Sequence, residues 1–145
     1  MTKEELKDYC EAEFKNISRV VDELFPLISP EKAEYTTAEL AAISAFVVNI
    51  YTGIEGILRQ MLMFDGLDVT DSPVWHEKVL KKAGEIGILP PDLFQTLSRY
   101  LSFRNLFVHS YIFTIKWEEL TVLVDAVKDV LARFRTEVEE YIQTI

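Results

Sequence analysis

The sequence predicts an all-α fold: a single domain, residues 1–145, built as an antiparallel bundle of four long helices plus one short helix. Three observations carry that expectation. Apolar residues recur at three- and four-residue spacing almost from end to end, and no stretch keeps the period of two that a half-buried strand requires. The breaks between periodic segments are short, which favours antiparallel neighbours. Composition agrees, since 49% apolar with 27% charged residues is the balance of an ordinary globule.

The first helix is expected from about Lys3 to Phe25, with Leu6, Tyr9, Phe14, Ile17, Val20, Val21 and Leu24 on one stripe and a stop near Pro26 and Pro30. The second has the firmest start. Thr36-Thr37-Ala38-Glu39 matches a capping box, Thr36 as cap and Glu39 three residues on. Its apolar seam runs through Leu40, Ile43, Val47, Ile50, Ile54, Ile57, Met61 and Phe64. Gly53 and Gly56 lie within it; each weakens a helix by about 1 kcal/mol relative to alanine, so a close helix approach is expected there. Asp65-Gly66-Leu67-Asp68 ends the seam. Ser72-Pro73 reads as a cap with proline in the first turn of a short third helix reaching about Ala83. Gly84, Gly87 and Pro90-Pro91 form the next break. A fourth helix begins near Pro91 and ends between His109 and Phe113, and a fifth, from about Lys116, buries Leu120, Val124, Val127, Leu131, Phe134, Val138 and Tyr141.

The fourth helix carries the chemistry. On a wheel of 100° per residue, Leu93, Phe94, Leu97, Tyr100, Leu101, Phe107 and Val108 fill one broad arc with Arg104 in its middle, while Phe103 and Leu106 lie elsewhere. Ser98, Ser102, Asn105 and His109 line a narrow polar strip at the edge. A helix apolar on so much of its circumference belongs in a core or at a subunit contact. Arginine neutralises phosphate and histidine moves protons near neutral pH, so Arg104 and His109 are the candidate functional pair. They stand five positions apart, roughly 140° around an ideal helix, and converge on one substrate only if the helix ends or distorts at His109 or two copies meet about a twofold axis. The structural alternatives are a buried Arg104 paired with Glu55 or Glu39, and a His109 bonded to the last carbonyls of its helix.

Charge narrows the function classes. A formal net charge of −9 argues against a general nucleic-acid coat. Within residues 76–117, however, Lys78, Lys81, Lys82, Arg99, Arg104 and Lys116 face only Glu77, Glu85 and Asp92, a balance that suits a local anion site. Cys10 is the only cysteine, so neither a disulfide nor a cysteine zinc cluster forms within the chain, and a reducing, cytoplasmic setting is expected. The polar start Met1-Thr2-Lys3-Glu4-Glu5 does not resemble a secretory signal, and no uninterrupted apolar run approaches the ~20 residues of a membrane span. No membrane partner is expected. No carboxylate cluster with metal spacing accompanies His76 and His109, so no metal and no cofactor are expected. Trp75-His76, beside Lys78, Lys81 and Lys82, reads as a tryptophan anchoring the short helix with an exposed histidine next to it; an RNA path is the alternative.

Arg104-Asn105-Leu106-Phe107-Val108-His109-Ser110-Tyr111 fits an Arg-x4-His-x-Tyr pattern, and with it the chain resembles the HepT-like toxins of the HEPN (higher eukaryote and prokaryote nucleotide-binding) superfamily. Tyr51-Thr52-Gly53-Ile54-Glu55-Gly56-Ile57-Leu58 is similar to their second-helix segment, and Trp75-His76 with Val79-Leu80 to their short third helix. The similarity covers most of residues 35–130. Arg-x4-His alone is common by chance; three segments in the right order are more specific. Family members often carry a further charged residue in or beside the motif, whereas Leu106-Phe107-Val108 is wholly apolar here.

The resemblance implies a HEPN/HepT-like protomer that forms a homodimer, with motifs from both chains lining one cleft. It implies a metal-independent endoribonuclease acting as the toxin of a two-gene system, with a minimal nucleotidyltransferase (MNT) as antitoxin and RNA as substrate. Arg104 and His109 would be catalytic and Asn105 would orient His109 or bind substrate. Tyr111 would accept AMP units from the antitoxin. The alternative function is a non-catalytic nucleotide-binding or adaptor helical subunit that partners a nucleotidyltransferase.

Overall fold

In the computed structural model, which describes residues 1–69 and 71–145, the described residues form five α-helices: α1 Lys3–Leu24, α2 Thr37–Phe64, α3 Trp75–Glu85, α4 Pro91–His109 and α5 Trp117–Thr144. The fold is the all-helical one the periodicity predicts. α2 is the hub, packing against α1, α3, α4 and α5. Cross-contacts give the directions. Ile17 and Tyr9 of α1 lie against Gly53 and Gly56 of α2, Glu77 and Gly84 of α3 meet Asn105 and Phe94 of α4, and Tyr100 and Asp92 of α4 reach Leu123 and Arg133 of α5. In each pair the numbers rise in opposite senses, so these neighbours are antiparallel.

The element ends follow local chemistry. Thr36 Oγ1 accepts from the Glu39 amide at 3.1 Å while Glu39 Oε1 accepts from the Thr36 amide at 2.9 Å, the reciprocal box that starts α2. Lys32 also pairs with Glu39, and these bonds hold the Glu39 carboxyl down to about 2, the Lys32 bond being the largest cause. Thr2 and Glu5 make the same box at the start of α1. Gly66, at φ +78, takes the left-handed conformation that closes α2, with the Leu67 amide donating to the Leu62 carbonyl.

One boundary differs from the sequence reading. Ser72-Pro73 does not open α3; Val74 stands at the cap and the helix starts at Trp75. Ser72 instead closes a turn, its Oγ accepting from the Val74 amide and its carbonyl from the Trp75 amide, both at 3.2 Å. A serine hydroxyl that satisfies a donor two residues on competes with helix capping, and here the turn prevails.

The α2 seam from Ile43 to Met61 is buried, with Leu40 and Phe64 half-covered at its ends. By length and composition alone α2 also suffices to cross a membrane, its best window reaching a mean hydropathy of 1.5, although no uninterrupted apolar run in it has spanning length. In the bundle it is the central packing helix. On α4, Leu93, Leu97, Tyr100 and Leu101 are buried as the wheel predicts, and the Tyr100 hydroxyl donates to the Leu123 carbonyl of α5 at 2.6 Å. Two positions depart from the wheel. Phe103 is buried, and Val108 is 52% exposed, because from Arg104 to His109 α4 carries no buried residue. The last turns of α4 are only partly covered, with Phe107 still packed against the core.

Candidate functional site

The uncovered end of α4 holds the motif. Arg104 is half-buried, and its Nη1 donates to Asn105 Oδ1 at 3.0 Å. Asn105 Nδ2 in turn donates to Glu77 Oε1, in the first turn of α3, at 3.3 Å. Among the described residues no carboxylate lies within ion-pair distance of Arg104: Glu39 is taken by Lys32 and Glu55 by His76. The buried Arg104–Glu55 or Arg104–Glu39 pair that would make this arginine purely structural is therefore not formed. Its guanidinium acts on Glu55 only through space.

His109 is the last residue of α4, and its side chain is exposed. The helix stays regular up to it, with the Ser110 amide still donating to the Leu106 carbonyl at 2.9 Å. No distortion swings His109 toward Arg104, so within one protomer the two remain apart around the helix. His109 makes no hydrogen bond to the carbonyls at the helix end among the described residues. Tyr111 lies just beyond, 73% exposed, its ring parallel to that of the equally exposed Phe113 with centroids 5.3 Å apart.

Beneath Arg104 lies a polar layer that the wheel does not reveal. Glu55, on α2, is only 4% exposed, and its Oε1 meets His76 Nδ1 at 2.7 Å. His76 is thus half-buried and hydrogen-bonded rather than exposed, and its ring stacks on Trp75 at 3.7 Å. The Arg59 guanidinium lies 5.7 Å from the Trp75 ring centre. Burial raises the Glu55 carboxyl above its ordinary range, more than the His76 bond and the Arg104 charge lower it; Glu77 adds to the rise. Tyr51, one turn before Glu55 and buried, has its phenol pushed well up by burial and then by Glu55. Among the described residues no three His, Cys, Asp or Glu side chains gather as a metal-ligand set.

Residues 42–145 match the family described as HepT-like protein, a span that runs from the first turns of α2 to Ile145. The chain is a HepT-like protein of the HEPN superfamily. No match among curated proteins and none among solved structures accompanies that finding. Within this HepT-like chain, the structure brings Arg104 and Asn105 together and leaves His109 at the exposed end of the same helix, with Tyr111 just beyond it.

The arrangement can hold an anion. Arg104 spends one donor on Asn105 and, among the described residues, has no carboxylate in ion-pair reach, so its remaining donors can take phosphate oxygens. An exposed imidazole can accept or release a proton, provided a substrate reaches both groups. Lys78, Lys81 and Arg99 are exposed, whereas Lys82 pairs with Glu85 at 3.2 Å, which thins the basic segment by one charge. Sequence reasoning missed Glu77 and the Glu55–His76 pair. Glu55 had a signal, as a lone acid amid Ile54, Ile57 and Leu58 requires a buried partner. Glu77 had none.

Proposed function

We propose that this HepT-like protein is a metal-independent endoribonuclease and the toxin of a HEPN/MNT toxin–antitoxin pair, acting in the cytoplasm as a homodimer on RNA. The observation that carries the reading is the half-buried Arg104, without an ion-pair partner among the described residues, near the end of the helix that presents His109. A structural arginine would be expected to sit against a carboxylate.

Metal-free cleavage needs the ribose 2′-oxygen deprotonated, the charge on phosphorus stabilised and the 5′-oxygen protonated. Arg104 stabilises the charge. His109 takes or gives the proton. Asn105 orients Arg104 through its amide oxygen, and the second hydrogen of its amide nitrogen is left to reach a phosphate oxygen. Convergence comes from a second copy. Leu106, Val108, Tyr111 and Phe113 are exposed around the motif, between 36% and 73%, and a twofold contact over them would bring one chain's His109 toward the other's Arg104. The exposed Tyr111 hydroxyl suits an AMP acceptor, and a bulky anion added there would obstruct an RNA cleft.

The test is RNA cleavage by the purified protein with and without chelator, beside growth on induction. His109→Ala and Arg104→Ala should each abolish cleavage and relieve growth inhibition while helical content is unchanged. Undiminished toxicity of His109→Ala rejects the assignment. A second reading, a non-catalytic nucleotide-binding or adaptor subunit for a nucleotidyltransferase, is favoured by the separation of Arg104 and His109 within one protomer. Nucleotide binding without turnover would select it.

A further inference from the structure

We propose that Glu77 is a positioning residue for the Arg104 guanidinium and acts through the Asn105 amide; the inference rests on the ribonuclease reading above. An asparagine amide has distinct ends, an oxygen that only accepts and a nitrogen that only donates. Here the oxygen meets Arg104 Nη1 at 3.0 Å and the nitrogen meets Glu77 Oε1 at 3.3 Å. Turned by half a rotation, the amide would set a donor against a guanidinium and an acceptor against a carboxylate. The Glu77 carboxylate therefore selects the orientation that Arg104 needs.

The interposed amide also explains how a carboxylate can guide this arginine without disabling it. A direct Glu77–Arg104 ion pair would occupy the guanidinium fork and neutralise its charge. With Asn105 between them, Arg104 is anchored on one donor and keeps the rest. Glu77 itself is well placed to serve as a fixed point. It lies in the first turn of α3, and the preceding residue, His76, binds Glu55 of α2 at 2.7 Å. α3 thus ties the central helix to the motif helix, one residue gripping each.

The experiment compares wild type, Glu77→Ala and Glu77→Gln in the full-length protein. Two readouts are taken: steady-state RNA cleavage, and the side-chain amide resonance of Asn105 by nitrogen-15 NMR, assigned by its loss in Asn105→Asp. Glutamine keeps an acceptor oxygen for Asn105, and alanine does not. Glu77→Ala should lower kcat by about 10- to 100-fold with KM little changed, since misplacing a group that stabilises charge costs rate before binding. Its Asn105 amide should shift toward the free-amide position. Glu77→Gln should hold both readouts close to wild type. The proposal is overturned if Glu77→Ala leaves the Asn105 resonance in place, if that variant cleaves at the wild-type rate, or if Glu77→Gln falls as far as alanine. Should the wild type cleave no RNA, the ribonuclease reading fails on its own. The Asn105 resonance then still decides whether Glu77 sets the amide.

Discussion

Gly53→Ala and Gly56→Ala, three residues apart on α2, should shift stability in opposite directions. A Cβ built on Gly53 lies 2.6 Å from Ile17 Cγ1 and 2.8 Å from Ile17 Cδ1. Ordinary carbon contacts sit at ~3.5–4.0 Å, so the new methyl is about 1 Å too close. Ile17 is 3% exposed, so α1 and α2 must separate or Ile17 must leave its rotamer toward the cleft that it and Gly53 line. Overpacking of this kind costs ~1–3 kcal/mol, and the better helix propensity of alanine returns ~1 kcal/mol. The net expectation is a loss of about 1 kcal/mol, or roughly 2–4 °C in Tm for a chain of this size. At Gly56 the nearest atom is Tyr9 Oη at 3.4 Å, an ordinary contact with the end of a side chain. There the propensity gain stands almost alone, and Gly56→Ala should gain ~0.5–1 kcal/mol. Urea denaturation with a shared slope measures both. In Gly53→Ala, trimming Ile17 to alanine as well should cost less than the sum of the single changes, a coupling that identifies the clash. A Gly53→Ala protein as stable as Gly56→Ala would refute the close approach of α1 to α2.

Two further outcomes follow from buried polar groups. Tyr100→Phe removes the 2.6 Å bond to the Leu123 carbonyl that joins α4 to α5, and should cost ~1–2 kcal/mol in the same denaturation assay with secondary structure retained. Glu55→Gln tests the charge beneath the site. Burial raises the Glu55 carboxyl in the folded protein, so the folded state holds that proton more firmly than the unfolded one, and stability falls as pH climbs through the raised value. Glutamine still offers His76 an acceptor and cannot ionise, so the variant should gain on wild type as pH rises above the ordinary carboxylate range. Parallel stability–pH curves for the two proteins would contradict it.

Much of the fold was legible because its determinants are local. Thr36 and Glu39 announce the start of α2 through a bond pattern confined to four residues, and the three-and-four spacing from Ile43 to Met61 needs only one buried side to be correct. The same locality explains the error at α3. Ser72 has two uses for one oxygen, a helix cap or a turn, and the choice depends on where Trp75 packs against its neighbours. Wheel arithmetic gives every residue an angle and none a depth. It placed Val108 in the apolar arc with Leu101, although one is covered by the bundle and the other has run beyond it.

That missing axial coordinate decides what Arg104 is. An arginine in the middle of an apolar arc must be paired if the arc is buried along its whole length, and Glu55 was the natural partner. Because α4 is only partly covered from Arg104 onward, the side chain keeps some exposure and takes Asn105 as its polar partner in place of an ion pair. Glu55, which does remain buried, takes its hydrogen bond from His76 instead, a residue that sequence spacing alone had left on the surface. Two residues are thus reassigned: Arg104 is released from an ion pair, and His76 is drawn inward, which pins α3 to α2 one residue before Glu77. The constellation around Arg104 follows from where the helices stop, and that is set by the packing of the bundle rather than by the Arg-x4-His-x-Tyr run itself.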